Sequence, residues 1–76
     1  MTYAELEIKI GKQNKADWHT HKNGGGWVNK SAHVDESAYV GGDALVSGDA
    51  LVFGNAQVSG DARVFGREQV FGDERV

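Results

Sequence analysis

Residues 44–61 read ALVSGD, ALVFGN, AQVSGD: three six-residue units, each with Ala first, Val third, Gly fifth and Asp or Asn sixth. The same spacing runs outward from this stretch in both directions. Valines stand at 34, 40, 46, 52, 58, 64, 70 and 76, and glycines at 42, 48, 54, 60, 66 and 72, so seven hexads run from Val34 to Arg75. A fixed short period with one aliphatic and one small residue per unit marks a repeat architecture, and a period of six predicts a parallel β-helix. Each residue type has a reason for its place. Valine is β-branched, suits a pleated and packed surface, and points inward. Gly and Asp or Asn make the corner, Gly by tolerating positive φ and Asp by bonding nearby backbone N–H groups. Alanine is small enough to point inward beside that corner, and the residues on either side of each valine point outward.

The head of the chain has a different pattern. Between Tyr3 and Ile10, Leu6, Ile8 and Ile10 alternate with Glu5, Glu7 and Lys9, which predicts a strand with one face buried, ended by Gly11. Residues 11–26 are polar apart from Trp18, and Gly24, Gly25 and Gly26 lead into Trp27 and Val28. These residues read as a loop. The expected division is an N-terminal β cap with a Gly-rich loop over 1–30 and the repeat body over 31–76. The cap covers the first coil, whose strand edge would otherwise pair with another chain.

At 76 residues, with no Cys and no Pro, the chain reads as one domain near the lower limit at which a core sustains itself. Self-association is the expected remedy for so small a core. The lack of Cys removes disulfides and thiolate metal sites and leans towards a reducing compartment. No apolar stretch approaches the ~20 residues of a membrane span, and Met1-Thr2-Tyr3-Ala4-Glu5 lacks the basic-then-apolar order of a signal peptide. The expected setting is therefore the cytoplasm, with no membrane partner. Charge is unevenly divided beneath a net of −3. Residues 1–30 hold all five lysines against Glu5, Glu7 and Asp17, while residues 31–76 hold eight acids against Arg63, Arg67 and Arg75. An acidic body argues against direct contact with nucleic-acid phosphates.

Gly24-Gly25-Gly26-Trp27-Val28, followed by Ala-x-Val-x-Gly-Asp hexads from Ala38 to Ala62, resembles hexapeptide-repeat proteins of the left-handed β-helix type. The resemblance is to mostly uncharacterised members found among bacteria, phages and prophages, and it covers about two-thirds of the chain. It implies an all-β fold: a short left-handed parallel β-helix of about two and a half triangular coils, three hexads per coil. Residues eighteen apart then stack. Two departures from the pattern stand out, since the chain is short and Glu68 and Glu74 occupy positions where alanine points inward.

Activity does not follow from this scaffold, which hosts acyltransferases, anhydrases and binding proteins alike. Hexapeptide acyltransferases use a histidine and an extruded loop beside a coenzyme A groove, and no insertion interrupts Ala32 to Val76. His33 lies outward beside Asp35 and reads as a solvated side chain. His19 and His21 fall on one side of an extended stretch, which is too few ligands for a zinc centre. No catalytic, cofactor-binding or metal-binding residue is therefore expected, and the chain reads as a non-enzyme. Outward-facing Leu45, Leu51, Phe53, Phe65 and Phe71 form the candidate protein-binding surface. The open last coil is the candidate homodimer contact, through Phe65, Glu68, Val70, Phe71, Glu74, Arg75 and Val76, with Glu68 and Glu74 splayed outward or paired to the second copy. Asp43, Asp61 and Asp73 form an acidic edge.

The leading expectation is a non-enzymatic protein-binding and assembly module that self-associates. A phage-encoded inhibitor of a host nuclease or defence complex, working in the host cytoplasm and using the acidic edge as a nucleic-acid mimic, is the alternative. A truncated hexapeptide acyltransferase is third.

Overall fold

Thr2 starts the chain's one α-helix. In the computed structural model, which describes residues 1–76, helix α1 spans Tyr3–Ile10. The Thr2 hydroxyl accepts from the Glu5 N–H at 3.2 Å and the Glu5 carboxylate accepts from the Thr2 N–H at 2.8 Å. This reciprocal capping box satisfies two donors that a helix start leaves unpaired. Gly11, at φ +88°, ends the helix. Tyr3, Leu6 and Ile10 lie three and four residues apart, so they share one helical face. That face packs on Trp18, Trp27 and Leu45, and Leu6 is fully buried there.

A short 3-10 turn, Lys15–Asp17, leads into β1 (Trp18–Thr20), which runs antiparallel to β2 (Trp27–Asn29). Glycine is required in the turn between them. A Cβ on Gly24 or Gly26 would run into the backbone of Val40 or Gly41, and Gly24 and Gly25 both have positive φ.

The remaining strands are two residues each: β3 (His33–Val34), β4 (Tyr39–Val40), β5 (Leu45–Val46), β6 (Leu51–Val52), β7 (Gln57–Val58), β8 (Arg63–Val64) and β9 (Gln69–Val70). They fall into three sheets, ordered β1-β2-β5-β8, β3-β6-β9 and β4-β7. Every pair except β1-β2 is parallel, with partners eighteen residues apart, as in Val28–Val46 and Val34–Val52. The valines of the three sheets meet in one core with the alanines Ala38, Ala44, Ala50 and Ala56. Val40, Val46, Val52 and Val58 have no exposed surface. The chain thus visits the sheets in turn and lays down successive layers, of which residues 62–76 form the last.

The all-β class expected from the repeats, a left-handed parallel β-helix of about two and a half coils behind a β cap, is corrected. The chain is a helix plus mixed sheets of two to four short strands, parallel and antiparallel. The strand expected from Tyr3 to Ile10 is α1, because the alternation counted Ile8 as inward when it is 85% exposed. Local capping and a three-and-four-residue apolar stripe outweigh that partial alternation. The last layer does not splay either. Val70 pairs in register with Val52, and Arg75 bridges Gln57.

Candidate functional site

The second sheet carries the outward apolar groups. Parallel register places Phe71 one layer beyond Phe53, and their rings stack with centroids 5.3 Å apart and planes within 10°. Offset stacking of aromatic pairs adds to the area they bury. Leu51, outward on β6, stands beside this pair and is partly exposed, while Phe71 remains 49% exposed. Around the corner after β8, Phe65 is 57% exposed. It borders a shallow groove of about 200 Å³ that it shares with Ile10, Leu45, Ser47 and Arg63. Phe65 and Phe71 both belong to the last layer, so the apolar surface runs on to that layer's outer edge.

Two residues expected on this surface are elsewhere. Leu45 is 2% exposed, because α1 lies across the first sheet and Leu6 covers it. Val70, expected at the oligomer contact, is 4% exposed and belongs to the valine core. Glu68, Glu74, Arg75 and Val76 are exposed, as is Phe65. The two glutamates stand at the hexad position that alanine holds in the preceding units, and both are exposed. Charges in the last layer balance, with Arg63, Arg67 and Arg75 against Glu68, Asp73 and Glu74.

The acidic edge is partly neutralised by the chain itself. The Met1 amino group lies 3.6 Å from the Asp43 carboxylate, and Lys9 Nζ lies 3.6 Å from that of Asp61. Lys9 also donates to the Asp43 carbonyl at 3.4 Å. Both cations arrive on α1 or its start, which no reading of that segment as a strand would bring here. Asp73 is exposed, with no cation within ion-pair distance.

His19 and His21 do not share a side. His19 is exposed on β1, whereas His21 is buried and its Nε2–H donates to the Ala38 carbonyl at 2.8 Å. His33 is exposed, and its Nε2 meets Asp35 Oδ1 at 2.8 Å while Asp35 Oδ2 accepts from the Gly54 N–H at 3.1 Å. The bond to His33, then the bond from Gly54, hold the Asp35 carboxyl below its ordinary range. This arrangement ties the outward face of β3 to the corner one layer further on.

Sequence reading passed over Ile8 and Tyr39 as surface features. The signals were present: the Thr2…Glu5 capping box turns Ile8 to the helix's outer side, and the place between Ala38 and Val40, second in its hexad, turns Tyr39 outward. Tyr39 is 38% exposed and lines a polar groove of about 420 Å³ with Asn23, Ser37, Asn55 and Gln57.

No helix is long and apolar enough to cross a membrane. No protein-family model matches the chain, and no curated protein and no solved structure is similar enough to it to count as a match.

Proposed function

We propose that this chain is a non-enzymatic protein-binding and assembly module that self-associates through its last layer. The observation that carries this reading is the stacked Phe53–Phe71 pair on the second sheet beside exposed Leu51, with Phe71 half exposed in the last layer, whose strand edge is unpaired and which also carries exposed Phe65. Exposed apolar groups gathered in this way on so small a body mark an interface. The occupant is a second copy. Balanced charge around the edge suits a self-complementary contact, and a two-fold pairing covers both edges at once. Stacking of the same edge on the head of another copy is opposed by β1, which pairs antiparallel with β2 and occupies that edge of the first sheet.

Acidic mimicry of nucleic acid is less favoured, because the Met1 amino group and Lys9 already stand against Asp43 and Asp61. A cysteine-free chain of this kind fits the cytoplasm. Light scattering on the wild type and on Phe71→Ser tests the reading. Phe71→Ser is expected to keep its far-ultraviolet spectrum and lose the dimer mass, and an unchanged mass overturns the proposed contact.

A further inference from the structure

In each hexad the N–H of the residue after valine points to the next layer and donates to a carbonyl seventeen residues on. The Ser47, Phe53 and Ser59 N–H groups reach the Val64, Val70 and Val76 carbonyls at 2.8, 3.0 and 3.2 Å. The next two residues in this series are Phe65 and Phe71. Their N–H groups instead donate to Glu68 Oε1 at 3.2 Å and Glu74 Oε1 at 3.1 Å. The carbonyls of the same two residues accept from the Glu68 and Glu74 N–H groups at 3.3 and 3.2 Å. Both polar groups of each corner residue are thereby satisfied within the last layer. In the preceding hexads the position held by these glutamates is alanine, which has no acceptor to offer.

We infer that Glu68 and Glu74 are edge locks: their carboxylates occupy the corner N–H groups that an added strand layer would take. An unpaired sheet edge is a template for another chain, and side-chain occupation of its donors is a way to blunt it. The partner held off is the edge of a second copy, whose exposed charges match those of the first. In the wild type, contact between copies runs through Phe65, Phe71 and the remaining edge residues Arg63, Gln69 and Arg75, without backbone pairing at the corners. This choice of partner rests on the self-association proposed above, whereas the locks themselves do not.

Two variants of the whole chain separate the possibilities. In E68A/E74A the locks are gone and the repeat's own alanine is restored, so the fold is expected to persist. In E68Q/E74Q an amide oxygen still accepts the same N–H groups while both charges are lost. Sedimentation equilibrium is expected to give at least ten-fold tighter self-association for the alanine pair, and wild-type behaviour for the glutamine pair. An alanine pair no tighter than wild type overturns the inference, because the glutamates then serve only their own turns. A glutamine pair matching the alanine pair also overturns it, because charge repulsion then guards the edge. Amide hydrogen exchange at dilution reads the locks in the monomer, independently of any dimer. In E74A the Phe71 amide should exchange at least ten-fold faster with Phe65 unchanged, and equal rates at Phe71 would contradict the lock.

Discussion

The ring of His21 takes the place of a backbone donor to Ala38. Elsewhere, up to the last layer, the N–H before a valine reaches the carbonyl seventeen residues on, an alanine for Trp27 to Ala44, His33 to Ala50 and Tyr39 to Ala56, and a glutamate for Leu51 to Glu68 and Gln57 to Glu74. His21 stands seventeen residues before Ala38, but its own N–H turns back to the Gly26 carbonyl at 2.7 Å. Its Nε2–H then supplies the missing bond at 2.8 Å from a buried position. The tight turn of residues 21–26 is therefore compatible with a satisfied edge on β4.

His21→Ala should leave the Ala38 carbonyl short of this donor in a buried site, at a cost of about 1–3 kcal/mol. In a domain of this size each kcal/mol lowers Tm by about 4–8 °C. A calorimetric Tm within a degree of wild type would contradict the assigned role.

Corner glycines should differ in tolerance according to what lies beyond them. Gly48 and Gly60 both have positive φ, but a Cβ on Gly48 would sit 2.7 Å from the Gly66 nitrogen, whereas none of the surroundings of Gly60 lies within 4 Å. Gly60→Ala should cost only the conformational strain of about 1–2 kcal/mol. Gly48→Ala must also push the corner of the next layer and should cost more. Urea unfolding of both variants checks the order, and equal midpoints would contradict the close stacking of corners.

Acid should weaken the fold through two carboxyls. Bonds from the Thr2 backbone and hydroxyl region hold Glu5 below its ordinary value of 4.5, and the bond to His33 with that from Gly54 holds Asp35 below 3.8. Both values are depressed by folding, so the unfolded chain binds protons first as pH falls. Their stabilisation is complete above the ordinary values and is lost as pH drops through them to the lower folded values. The urea midpoint of wild type should therefore fall more steeply below pH 4.5 than that of a Glu5→Gln/Asp35→Asn variant. Parallel curves would contradict these assignments.

The period of six was legible wherever side chains alone decide it. Val28, Val46 and Val64, or Val34, Val52 and Val70, lie eighteen residues apart and share a sheet. The class of the fold was not legible in the same way. Tyr3 to Ile10 carries both an alternation and a helical stripe, and the capping pair Thr2 and Glu5 decides between them in favour of the helix. The alternation alone leaves Leu45 on the expected surface instead of beneath Leu6, and does not place Lys9 at Asp61. The antiparallel pairing of β1 with β2 depends on a glycine turn whose tightness against Val40 and Gly41 is a tertiary fact, invisible in a list of glycines. For the candidate surface, Phe53, Phe65 and Phe71 were readable because outward positions follow from the valines. The role of Glu68 and Glu74 was not, because their departure from alanine signals a change without revealing which backbone group receives the carboxylate.

Self-association through the last layer is tested most directly by sedimentation velocity of the wild-type chain at micromolar concentration, alongside Phe71→Ser. The wild type is expected to be a dimer and Phe71→Ser a monomer, with the same β-rich spectrum in both. A wild-type chain that sediments as a monomer throughout that range, or a dimer that Phe71→Ser leaves intact, would contradict it.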